Sequence, residues 1–207
     1  MTAGVRVLTG ADGGRHRFDP GSFCLELLLT GGPAGAYERY EILHTPADLA
    51  AWLPGSRLAA FAPLAESDVR IRPAELRAIR RFRDHLWTAV RAVAHGERPA
   101  PADLDVINES AGPPPRPRIA PGTGRREWVT PVTGSQILGA AAREAVDLVG
   151  SDLAARVREC AAGDCRLLFL DTSRPGTRCW CSMERCGNRH KVRDYRARRQ
   201  HTGPSGS

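Results

Sequence analysis

Residues 160–186 read CAAGDCRLLFLDTSRPGTRCWCSMERC and hold five of the six cysteines of a 207-residue chain. The pattern is Cys160-x4-Cys165, fifteen intervening residues, then Cys181-x4-Cys186. Two short cysteine pairs joined by a spacer of hairpin length are the usual arrangement of a structural zinc site. Each pair forms a knuckle that offers two thiolates to one face, and the spacer folds back to bring the knuckles together. Four thiolates close a tetrahedron with no open position, so a single Zn2+ held there is structural, not catalytic. A disulfide framework is the rival reading. The N-terminus, MTAGVRVLTG, lacks the charged-then-apolar design of a signal peptide, which points to a reducing cytoplasm and so to zinc. Cys179 lies two residues before Cys181 and offers the same chemistry, but Cys181 preserves the symmetric spacing and is the expected ligand. His190 and His201 qualify by chemistry alone, and each would displace a better-placed thiolate. Cys24, in the run FCLELLL, reads as a small buried apolar residue.

The charge is uneven. The net formal charge is +7, and the segment from Arg174 onward accounts for all of it, with nine basic residues against Glu184 and Asp194. A neutral body with a cationic end suits a polyanionic partner. Lys191 is the only lysine, so the cationic end is almost wholly guanidinium. Guanidinium groups bind phosphate bidentately and read guanine edges. Apolar residues make up 42% of the chain and charged residues 26%, values of a globular protein and not of a disordered or fibrous one. No apolar run is long enough to span a membrane.

The rest of the chain reads as mostly helical. Residues 1–15 are Gly-rich and polar and are expected to be flexible. Phe23 to Leu29 and Tyr37 to Leu43 read as a β-hairpin around Thr30-Gly31-Gly32-Pro33, with a helical reading of CLELLL left open. Thr45-Pro46-Ala47-Asp48 starts a helix with Thr45 as cap. Arg72-Pro73-Ala74-Glu75 starts a longer one, in which Leu76, Ile79, Phe82, Leu86, Val90 and Val93 recur every three or four residues until Gly96. Its Arg77, Arg80, Arg81, Arg83 and Arg91 read as a solvated outer face. Pro101 to Ser110 is a shorter helix, with Leu104 and Ile107 inward. Arg118-Ile119 is expected to pair with Glu127-Trp128-Val129. Ser135 begins a last long helix that ends near Gly150, and the cysteine module follows without a flexible linker.

Within that module Leu167 to Leu170 form a β-prone arm, and the chain turns back around Arg174-Pro175-Gly176. Trp180 is expected to pack on the arm beside the metal. Asp171 is expected to order the turn by accepting N–H groups or pairing with an arginine. Gly187, following the last ligand, would allow a positive φ and a close N–H approach to sulfur. Asn188 is a natural helix cap, with about three turns to follow and Val192 and Tyr195 facing inward. The expected nucleic-acid contacts are Arg178, Arg185, Arg189, Lys191, Arg193, Arg196, Arg198 and Arg199.

Phe169 to Ser173 (FLDTS), Trp180 to Met183 (WCSM), Cys186 to Arg189 (CGNR) and Lys191, together with the first cysteine pair, closely resemble the CGNR zinc finger family. In that family the finger follows a mostly helical domain of the ABATE type, regarded as a stress-induced transcription regulator. HTPADLAAWL and the long helix resemble that domain more loosely. Two departures stand out: Pro175-Gly176 where the family usually has Asn, and Arg178-Cys179 where it usually has two Arg. The resemblance implies DNA binding in transcription control.

The expectation is therefore an α+β protein. A flexible segment (1–15) precedes a mainly helical regulatory domain with a β-hairpin (16–157). A four-cysteine zinc finger follows, with a short hairpin and a basic C-terminal helix (158–201), then a disordered tail (202–207). The expected function is a zinc-dependent DNA-binding transcription regulator in the cytoplasm, with no membrane partner and no catalytic role. RNA binding by the same surface and a protein-interaction adaptor are the alternatives, with redox sensing at Cys179 as a variant. A homo-oligomer and a small-molecule effector of the N-terminal domain are left open.

Overall fold

The computed structural model describes residues 4–10, 13–33 and 40–193. Its helical body has one dominant element, α4 (Pro73–Ala94), which packs against α5 (Pro101–Ser110) and α6 (Gly134–Gly150). Shorter helices α1 (Phe23–Leu27), α2 (Pro46–Trp52) and α3 (Arg57–Phe61) complete the body. No helix among the described residues is long and apolar enough to cross a membrane.

The strands pair only two by two. β1 (Arg6–Thr9) runs antiparallel to β2 (Arg15–Phe18), and β3 (Val69–Arg70) lies parallel to β6 (Val132–Thr133). β4 (Pro117–Ile119) pairs antiparallel with β5 (Arg126–Trp128), and β7 (Val157–Glu159) with β8 (Leu168–Leu170).

The helix starts follow local chemistry. Thr45 accepts from the Asp48 N–H while Asp48 accepts from the Thr45 N–H, a reciprocal cap on α2. Thr133 and Gln136 do the same for α6. Glu75 joins two helix starts. Its carboxylate accepts from the Arg72 N–H at 2.8 Å and from the Ser135 hydroxyl at 2.8 Å, tying α4 to α6. Gly139 lets α6 approach the loop before β4. A Cβ there would lie 2.6 Å from the Pro113 carbonyl oxygen and 2.7 Å from that of Gly112.

Along α4 the expected stripe is buried at Leu76, Ile79, Phe82, Leu86 and Val90. Each such side chain contributes roughly 1.5–3 kcal/mol by leaving water. Arg83 departs from its expected solvated position and is 1% exposed. Its guanidinium forms a fork with Glu41, at 3.0 and 2.7 Å, and also meets Asp84 at 2.9 Å. Burial alone would raise the Glu41 pKa, but hydrogen bonds from Arg83 and the Leu43 N–H hold it below the ordinary carboxylate range. On α5 the inward residues are Asp103, Val106 and Ile107, with Leu104 only half-buried.

Two other expectations are corrected. The hairpin assigned to Phe23–Leu29 is instead α1 followed by a 3-10 turn at Leu28–Thr30. The Ser22 hydroxyl caps it by accepting from the Leu25 N–H, and all five residues of α1 are buried, so their apolar run carries no strand period. Residues 40–43 are not a strand, and Tyr37 to Glu38-Arg39 lie outside the described residues. The N-terminal segment expected to be flexible holds β1. Its Arg6 donates to the fully buried Glu26 at 2.6 Å and stacks 4.1 Å over Trp52.

β8 explains how the body meets the cysteine module. All three of its residues are buried, because its two faces serve two cores. Leu168 and Leu170 join the helical core with Val157. Phe169 points the other way, into a small second core with Phe18, Ala162, Cys160, Cys181 and Cys186. Phe18 comes from β2 and meets Phe169 edge to face, with ring centroids 6.4 Å apart. The N-terminal hairpin is thus part of the module that begins 140 residues later.

Candidate metal centre

The first knuckle begins where β7 ends. The Cys160 N–H donates to the Leu167 carbonyl and the Cys165 N–H to that of Ala162, both at 2.9 Å, so the turn carries both sulfurs to one side. Cys181 opens the second knuckle, and Cys186 sits in a single π-helical turn over Met183–Gly187. The sulfurs of Cys160, Cys165, Cys181 and Cys186 all lie within 4.8 Å of one another. Two separations are 3.7 Å (Cys165 to Cys181) and 3.4 Å (Cys181 to Cys186). A zinc–sulfur length near 2.3 Å gives a tetrahedral edge of about 3.8 Å, so this spacing fits one Zn2+. It is far too long for a sulfur–sulfur bond, and all six cysteines are free thiols. Cys179 is exposed and outside the cluster. His190 stacks on Trp180, 4.7 Å between centroids, and is not in the ligand set. His201 lies outside the described residues. Cys24, as expected, is fully buried, and burial with the nearby Glu144 carboxylate pushes its thiol pKa up.

The charge logic of the cluster calls for a cation. Hydrogen bonds from Cys165 and Cys181 draw the Cys160 thiol down to about 2, while its hydrogen bond to Cys160 pushes Cys165 up to about 12. Cys181 is pushed up as well. One ionised sulfur therefore opposes ionisation of its neighbours, and a bound metal cation is what lets the four thiolates coexist.

The surrounding residues orient these sulfurs. The Cys181 N–H points to the Cys160 sulfur at 3.4 Å. Arg189 donates to the Cys186 sulfur at 3.5 Å and grips Asp164 bidentately at 2.8 and 3.2 Å. Asp164 precedes Cys165, so one guanidinium clamps both knuckles. Asp171 is fully buried and closes the turn as expected, accepting from the N–H groups of Ser173 (2.9 Å) and Arg178 (2.8 Å). Its burial works against ionisation, but these hydrogen bonds and Arg156 hold its pKa below the ordinary range. Gly176, at φ +64°, makes the turn that Pro175-Gly176 introduces.

Several expected roles change. Arg178 is not a free cation. It donates to the carbonyls of Trp180 (3.0 Å), Cys181 (2.7 Å) and Asp19 (3.2 Å), and lies 4.1 Å over the Phe169 ring. Arg185 donates to the Gly14 carbonyl at 3.0 Å and holds the N-terminal hairpin against the module. Gly187 has no positive φ, and its N–H donates to the Ser182 carbonyl, not to sulfur. A Cβ there would lie 2.8 Å from the Met183 sulfur, a contact that the flexible, exposed Met183 side chain can relieve. Asn188 is not a cap. The π-helical turn runs straight into a helix over 188–193, and the Asn188 amide donates back to the Glu184 carbonyl. Val192 is 47% exposed, not inward. Trp180 is half-buried against the second core, as expected. Tyr195, Arg196, Arg198 and Arg199 lie outside the described residues.

Lys191 and Arg193 are exposed and make no hydrogen bond or ion pair among the described residues. A groove of about 620 Å³ reaches Arg193, lined also by Arg15, Arg185 and Arg189, with Asp164 and Glu184 as its acids. Arg15 is the residue that sequence reasoning missed. In RHRF the even exposure of Arg15 and Arg17 alternates with buried His16 and Phe18, a strand signal hidden by its shortness.

Family models match the chain in two places. One, ABATE, described as "Putative stress-induced transcription regulator", matches residues 21–152. The other, the CGNR zinc finger, matches residues 156–199. No curated protein matches the chain. The second match covers all four clustered cysteines, whose centre accommodates one structural zinc.

Proposed function

Because this chain belongs to the ABATE family and carries a CGNR zinc finger, we propose that it is a zinc-dependent regulator of transcription that binds duplex DNA. One observation carries the reading. The sulfur centre and its Arg189 clamp hold a helix start whose exposed Arg193 lines one groove with Arg15 of β2, and exposed Lys191 lies two residues before it. Arg196, Arg198 and Arg199 follow in the same segment. Zinc fixes the helix, the helix and hairpin present guanidinium groups to phosphates, and base contacts add selectivity. The helical body carries the regulatory role. No catalytic step belongs to this reading, since Asp171 is fully committed to its turn and the metal has no open position.

Fluorescence anisotropy with the zinc-loaded chain and a labelled duplex tests it. With about six phosphates engaged, log K falls against log salt with a slope near −5. Arg15→Ala and Arg193→Ala each lower that slope by about 1. Binding that ignores salt between about 50 and 200 mM overturns the reading. Preference for structured RNA in direct competition moves the assignment to RNA.

A further inference from the structure

A cleft of about 650 Å³ lies where the helical body, the N-terminal hairpin and the finger meet. That volume is in the range of small-molecule sites, roughly 300–1,000 Å³. Its apolar walls come from three distant parts of the chain: Leu8 of β1, Leu28, Leu29 and Trp87 of the body, and Leu167 of the finger. Each of these side chains is only half-buried, so an occupant would remove apolar surface from water on every side. The charged groups at the cleft are Arg166, Arg185, Arg189 and Asp164. Asp164 is already held by Arg189, and Cys165 of the sulfur centre also lines the cleft, which leaves Arg166 as the cation at the cleft wall. Arg166 is exposed and makes no hydrogen bond or ion pair among the described residues.

We propose that this cleft is a binding site for a small organic anion with a flat apolar body, a carboxylate, sulfonate or phosphate on an aromatic frame. The aromatic part lies against Trp87 and the leucines, and the acid group meets Arg166 at the finger wall. A neutral molecule of the same shape would leave Arg166 unmatched, and a compact inorganic anion would leave the apolar wall wet. Because the walls belong to body, hairpin and finger together, an occupant bridges them and favours one arrangement of the three. The proposal goes beyond nucleic-acid binding and does not depend on it.

The test uses the full zinc-loaded chain without nucleic acid. The probe is anilinonaphthalene sulfonate, followed by fluorescence, with naphthoate and naphthamide as competitors. Saturable binding at one site per chain is expected, with naphthoate displacing the dye at about tenfold lower concentration than naphthamide. Arg166→Glu is expected to weaken dye binding about tenfold or more, and Trp87→Leu by a similar factor. Both variants are checked for one zinc per chain, and exposed Arg166 gives a change that the fold tolerates. Arg125→Glu, on the β4–β5 turn, controls for net charge and is expected to bind as the parent does. Absence of saturable binding overturns the proposal. So does binding that Arg166→Glu and Trp87→Leu leave unchanged, or that Arg125→Glu weakens equally.

Discussion

The helical body and the finger solve the same problem of stability by opposite means. The body buries a continuous apolar stripe of α4 against α5 and α6, and it also holds buried ion pairs such as Arg83 with Glu41. Among the described residues, the finger's fully buried core is Phe18, Phe169, Ala162 and three of its cysteines, with a few half-buried side chains around them. So small a core cannot offset the entropy of ordering the loops around it, and the metal bonds supply the difference. The body should therefore tolerate loss of zinc, and the finger should tolerate damage to the body's ion pairs.

Removing zinc with a chelator separates the two most sharply. Structural zinc contributes on the order of 10–16 kcal/mol in small fingers, so the region from Cys160 to Gly187 should lose its order. β1 and β2 should loosen with it, because Phe18 and the Arg185 contact to Gly14 belong to that module. Hydrogen exchange should show fast amides there and continued protection in α4 and α6. Uniform loss of protection would mean that the two parts form one cooperative unit.

Arg83→Met makes the opposite cut. It removes the buried guanidinium fork from Glu41, whose side chain is 8% exposed, and leaves it only the 3.2 Å contact to the partly exposed Arg80. Breaking such a pair costs about 3–5 kcal/mol, seen in urea unfolding of the body, with zinc content unchanged. Arg81→Met, at an exposed position of the same helix, should cost little.

Glu75 sharpens the comparison through pH. Hydrogen bonds from Arg72 and Ser135 overcome the effect of burial and hold its pKa at about 2, against an ordinary value of 4.5. A folded pKa below the unfolded one gives stability that is present above pH 4.5 and lost as pH falls toward 2. Arg72 is largely exposed and solvent screens its share, so the effect stays below about 3 kcal/mol. Helical circular dichroism of Glu75→Gln should be less stable than the parent at neutral pH, and the two should converge in acid.

The smallest effect is expected at the clamp. Arg189→Ala leaves all four sulfurs but frees the knuckles from one another, which should weaken zinc binding about 10–100-fold in chelator competition. The body's unfolding transition should not move.

The same contrast governs what could be read from the sequence. α4 was legible because its apolar residues keep a helical period over six turns. The four ligands were legible because short cysteine spacings have few other physical uses. α1 was not, since a segment buried on every side carries no period. β1 and β2 were hidden for another reason: the partners of Phe18 and Gly14 lie 151 and 171 residues away, at Phe169 and Arg185. Arginine was the least legible residue. Arg178, Arg185 and Arg189 look like Lys191 and Arg193 in a charge count, yet the first three are spent on carbonyls, an aromatic ring, a carboxylate and a sulfur. Only the tertiary structure separates cations that hold the finger from cations available to a partner.

Zinc K-edge X-ray absorption on the purified chain tests the centre most directly. One zinc per chain in a shell of four sulfurs at about 2.3 Å is the expected result. A shell containing nitrogen or oxygen, or the same sulfurs found as disulfides, would contradict it.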